Sequence, residues 1–106
     1  MMNNAKHYNL SLDKRLADEL KSIGFIRAEQ DLSMWCGKER SYFSSMRCRG
    51  YGLHIGSLTL MAARIADRMN TTADVRERAR LRMALNIVNA VVQEKCRLRE
   101  QELLTA

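Results

Sequence analysis

Between Lys38 and Arg49 the chain reads KERSYFSSMRCR, with four basic side chains, Lys38, Arg40, Arg47 and Arg49, against one acid, Glu39. Three hydroxyls, Ser41, Ser44 and Ser45, and the phenol of Tyr42 lie among them. A guanidinium presents a planar fork of donors that matches a phosphate or the O6/N7 edge of guanine, and a serine hydroxyl bonds to either. No nucleophile stands beside a base here, so the chemistry on offer is recognition of a polyanion. The whole chain has the same bias: 18 Lys and Arg against 12 Asp and Glu leave a net charge of +6. A small basic domain points to nucleic acid first and an anionic surface second.

Other chemistries find little footing. The three cysteines, Cys36, Cys48 and Cys96, form no CxxC pair, and an odd, sparse set does not make a disulfide framework. The histidines, His7 and His54, are not at ligand spacing from them, so no metal site is expected. There is no nucleophile elbow and no phosphate-cradling glycine loop. Neither an enzyme nor a cofactor is expected. The opening MMNNAKHYNLSLDK lacks the apolar core of a signal peptide, and no apolar run approaches the ~20 residues that span a bilayer, so the expectation is a cytoplasmic protein with no membrane partner.

The elements that must carry the basic cluster are helical. Among 106 residues there is no proline and there are five glycines, and 46% of the chain is hydrophobic, enough for a modest core. Residues 1–10 read as a flexible N-terminus. Ser11 suits an N-cap, and Leu12, Leu16, Leu20 and Ile23 make an apolar stripe that ends at Gly24, a C-cap residue. A second helix is predicted over about Arg27 to Cys36, with Ala28, Leu32 and Trp35 or Cys36 inward, and Gly37 stops it. A third spans about Glu39 to Arg47, and a fourth runs from Gly56 or Ser57 to about Met69 on Leu58, Met61, Ala62 and Ile65. Thr72 then reads as the N-cap of a long last helix with Asp74 in its first turn. The expected architecture is all-α: a four-helix domain over residues 11–70 and a long C-terminal helix over residues 71–106.

Leu32, Ser33, Gly37, Ser41, Tyr42, Phe43 and Ser44 together resemble the helix-turn-helix of Cro/phage-repressor-like (Xre-type) DNA-binding domains, with Ser33 at the small position and Gly37 at the tight turn. Ile55, Ser57, Leu58, Ala62 and Ile65 resemble that family's next helix, so the resemblance covers roughly Leu12 to Met69. The chain is also similar to a small uncharacterised group of proteobacterial helix-turn-helix proteins. It departs from the pattern at Lys38, where the family places a core valine or isoleucine, at Glu39, which replaces a hydroxyl cap, and at the bulkier Trp35.

The resemblance implies that the third helix enters the major groove of duplex DNA. Arg40, Ser41, Ser44 and Ser45 are then the expected base contacts. Arg27, Gln30, Lys38, Tyr42, Arg47 and Arg49 are the expected phosphate contacts, which fix position without reading sequence. The implied function is a sequence-specific transcriptional regulator, such as a repressor of bacterial or mobile-element origin. The departures at Lys38 and Glu39 keep a second reading open, in which the scaffold binds a protein partner as an anti-activator or adaptor. A membrane-surface role for the last helix ranks lower, because Glu77, Glu94, Glu100 and Glu102 dilute its charge.

The last helix carries a stripe of Leu81, Leu85, Val88, Val91, Val92 and Leu98. At ~45 Å for 30 residues it is longer than a domain of this size can cover, so the expectation is that this stripe pairs two copies as a homodimer. The alternative is a helix that folds back on its own domain, broken near Asn86 or Asn89.

Overall fold

A computed structural model describes residues 4–105, which form five helices: α1 (Asn4–Ser22), α2 (Glu29–Trp35), α3 (Tyr42–Cys48), α4 (Ile55–Thr71) and α5 (Val75–Thr105). The all-α expectation holds, and no strand occurs among the described residues. No helix among them is long and apolar enough to cross a membrane.

The helices end where the backbone can turn left-handed. Gly24, Gly37 and Gly50 have φ of +73°, +72° and +75° and follow the ends of α1, α2 and α3. Each closes its helix with the same pair of bonds. At Gly37 its own amide donates to the Met34 carbonyl at 2.9 Å, and the Lys38 amide reaches back to Ser33 O at 3.0 Å. A Cβ at Gly37 would lie 3.1 Å from Leu60 Cδ2, so α4 packs tightly on this turn, whereas a Cβ at Gly24 meets nothing within 4 Å.

Three expected starts are corrected. The chain is helical from Asn4, so Ser11 is an exposed residue inside α1 rather than its cap; residues 4–10 of the expected flexible N-terminus are helical, and residues 1–3 lie outside the described residues. α2 starts at Glu29, two residues later than expected, because the Asp31 carboxylate reaches back to the amides of Arg27 and Ala28 at 2.9 and 3.2 Å. α5 is capped by Asp74, whose Oδ1 accepts from the amides of Arg76 and Glu77 at 2.9 and 3.3 Å. Thr72 stands further back, its hydroxyl accepting from the Asp74 amide and donating to Glu77 Oε2.

Leu12, Leu16, Leu20, Leu32, Leu58, Met61 and Ile65 make the expected core, joined by Ile26, Phe43 and Leu53. The long helix completes it. α5 packs along α4 and also against α1, unbroken at Asn86 and Asn89. Leu81, Val88 and Val91 are buried in the chain's own core, and Leu85, Val92 and Leu98 are partly buried against it. The stripe therefore packs largely within one chain, with Leu85, Val92 and Leu98 left partly exposed. At ~1.5 Å per residue α5 spans ~46 Å, close to the 48 Å long axis of the molecule, and only its last two turns, from Arg99 onward, are wholly exposed.

One polar cluster lies inside this core. Asp13 of α1 and Lys95 of α5 are 5% and 3% exposed and pair at 2.7 Å between Oδ1 and Nζ. Both also hold Leu53 in the α3–α4 connection: its amide donates to Asp13 Oδ2 at 2.7 Å, and its carbonyl accepts from Lys95 Nζ at 2.8 Å. The pair thus ties both terminal helices to the segment that follows α3.

Candidate nucleic-acid interface

The α2–α3 pair is locked by a buried hydroxyl. Ser33 is fully buried, and its Oγ accepts the Phe43 amide at 2.9 Å. That amide lies in the first turn of α3, where no intrahelical carbonyl is available to it. Ser33 therefore fixes where α3 begins, while Phe43 anchors it in the core at 4% exposure. Since a larger residue at position 33 would push α3 away, the small residue there has both a steric and a hydrogen-bonding reason.

α3 is shorter than expected. It begins at Tyr42, so Glu39, Arg40 and Ser41 form the turn before it rather than its first residues. Arg40 and Ser41 are exposed at this entrance, and Ser44 and Ser45 are half-buried on the first turn of the helix. The Ser44 hydroxyl donates to Ser41 O at 3.1 Å.

Arg27, Gln30, Arg40, Ser41 and Ser44 come together around one open cleft of about 550 Å³ between the start of α2 and the start of α3. Lys21, in the last turn of α1, adds a cation to it. The sequence reading missed Lys21, although its position three residues before the terminating Gly24 was a usable signal. The cleft's acid, Glu29, is paired with Arg47, whose Nη1 lies 2.6 Å from Glu29 Oε1. This leaves Lys21, Arg27 and Arg40 to set the local field.

Ser45, Lys38, Tyr42, Arg47 and Arg49 do not line the cleft. The Tyr42 hydroxyl, expected to face a phosphate, bonds Ser57 Oγ of α4 at 3.2 Å. Arg47 sits 5.5 Å from the centroid of the Phe43 ring while paired with Glu29, so it braces α3 against α2. Lys38 lies 5.6 Å from the Tyr42 ring centroid and is exposed, so the position where the resemblance expects a core aliphatic points outward. Arg49 is exposed at the end of α3.

The remaining candidates for chemistry are quiet. Burial, with the nearby Asp13 charge adding to it, pushes the Cys36 thiol up to about 11, which makes it a poor nucleophile. Cys48 and Cys96 are exposed and free. Among the described residues no three His, Cys, Asp or Glu side chains are grouped to hold a metal ion.

No curated protein and no solved structure matches this chain. A family model described as "Family of unknown function (DUF6626)" matches residues 14–104, from the middle of α1 to near the end of α5, and the chain belongs to the DUF6626 family.

Proposed function

We propose that this protein is a non-enzymatic, sequence-specific DNA-binding regulator that uses α2 and α3 as a helix-turn-helix. The observation that carries the reading is the cleft in which Lys21, Arg27 and Arg40 surround Gln30, Ser41 and Ser44, with its acid already neutralised by Arg47. Arg27, Gln30, Arg40, Ser41 and Ser44, the residues that the helix-turn-helix resemblance assigns to DNA, converge here from two helices and two turns. Arg40 and Ser41, exposed where the chain enters α3, take the base edges. Lys21 and Arg27 take phosphates on either side. Reading a two-fold operator requires a contact surface between two copies, and the stripe of α5 packs largely within one chain.

Selection of bound duplexes from a random pool tests the reading. The expected result is an enriched sequence containing a guanine, with Arg40→Ala losing about 1–3 kcal/mol of preference at that one position. A pool that emerges without enrichment contradicts sequence-specific reading. A protein-binding role draws on Met34 and Leu60, 49% and 47% exposed beside the Gly37 turn, and it predicts full partner binding when Arg27 and Arg40 are reversed in charge.

A further inference from the structure

A second cleft, of about 480 Å³, opens near the other end of α2, between the α1–α2 connection and the start of α5. Its apolar wall is the aromatic pair Phe25 and Trp35, with ring centroids 4.9 Å apart. Its polar wall is Arg68 of α4 with Arg76 and Arg80 of α5. Two acids also line it, and both are engaged: Glu77 accepts from Arg68 and Thr72, and Asp74 accepts the first amides of α5. Among the described residues Arg76 and Arg80 have no ion-pair partner, although they stand four residues apart on one helix face, a spacing at which like charges oppose helix formation. An anion between them removes that opposition.

We propose that this cleft binds a small phosphate monoester carrying an aromatic ring, of the nucleoside monophosphate class. The two unpaired guanidinium groups match the charge of −1.5 to −2 on a monoester, and each offers a fork for its oxygens. The ring lies along the Phe25–Trp35 wall. The volume is within the range of small-ligand sites, about 300–1,000 Å³. The site is separate from the cleft at α3 and does not rest on the DNA reading.

Trp35 is the only tryptophan in the chain and forms part of the wall, so its emission reports occupancy. The full chain is titrated with AMP, adenosine and inorganic phosphate, each followed by Trp35 emission and by calorimetry. Saturable binding of AMP is expected, with adenosine and inorganic phosphate each at least ~10-fold weaker, since each lacks one half of the recognised group. Arg76→Ala/Arg80→Ala, at two exposed positions, should weaken AMP by at least ~10-fold with helicity unchanged. Three results overturn the proposal: no AMP binding by either readout, inorganic phosphate binding as well as AMP, or undiminished AMP binding in the double variant.

Discussion

Replacing Lys95 with methionine isolates the buried ion pair. The stem keeps about the same volume, so little packing is lost, but Asp13 is left as a carboxylate 5% exposed without its counter-charge. Removing one partner of a buried pair costs about 3–5 kcal/mol, a large part of the 5–15 kcal/mol that holds a typical domain together. For a chain of this length that lowers Tm by roughly 10–20 °C. The double variant Asp13→Asn/Lys95→Met removes the charge problem and retains an acceptor for the Leu53 amide, while losing the ion pair itself and the Lys95 bond to the Leu53 carbonyl. It should stand about 1–2 kcal/mol below wild type, closer to it than the single variant.

The pH dependence supplies a second check on the same pair. Burial raises the Asp13 carboxyl above 3.8, opposed by the Lys95 charge, the Lys95 hydrogen bond and the Leu53 amide. A carboxyl raised in the folded state favours folding most below its unfolded value, and that contribution is lost as pH rises through the folded value. In Lys95→Met the largest opposing causes are gone, so the carboxyl rises further and the variant's deficit narrows as pH falls from neutral toward the carboxylate range. Chemical denaturation at several pH values measures both effects. A single variant within about 1 kcal/mol of wild type at neutral pH, or a double variant as unstable as the single, refutes the reasoning.

Two other outcomes follow from the turns and the thiols. Gly37→Ala should cost more than Gly24→Ala: both pay about 1 kcal/mol for a side chain at positive φ, but only position 37 also meets Leu60 Cδ2 at 3.1 Å. Denaturant midpoints of the two variants give the comparison, and equal midpoints would mean that Leu60 yields freely. A thiol reagent at neutral pH should modify Cys48 and Cys96 in the folded protein and reach Cys36 only on unfolding, because Cys36 is buried with its thiol pushed up to about 11. Mass spectrometry before and after denaturation counts the labels.

The helical parts of this fold were legible because their signals are local. The stripe from Leu12 to Leu20, the glycines at 24 and 37 and the Leu58–Ile65 face each say where a helix lies without knowledge of the rest of the chain. The candidate cleft was legible to the extent that Arg27, Gln30, Arg40, Ser41 and Ser44 sit at recognisable places around a glycine turn. What could not be read depends on contacts between distant residues. Whether the α5 stripe faces a second chain or its own domain is decided by how α4 and α1 pack, which spacing within α5 does not contain. Arg47 read as a free cation because its partner, Glu29, is 18 residues away. Tyr42 read as a phosphate ligand because Ser57 lies on another helix. The pairing of Asp13 with Lys95 joins the first helix to the last, so neither residue announces it locally, although Lys95 falls four residues after Val91 and seven after Val88, on the buried face of α5.

The salt dependence of binding to a fluorescent random-sequence duplex, compared between wild type and Arg27→Glu/Arg40→Glu, tests the central claim most directly. Both residues are exposed, so their reversal spares the fold, unlike Arg47, which braces α3. If Lys21 and Arg27 each neutralise one phosphate, affinity should fall roughly 10-fold between about 50 and 200 mM salt, and the double variant should lose both the affinity and about half of that slope. Binding that ignores salt, or a double variant that binds as wild type does, contradicts a DNA-binding cleft between α2 and α3.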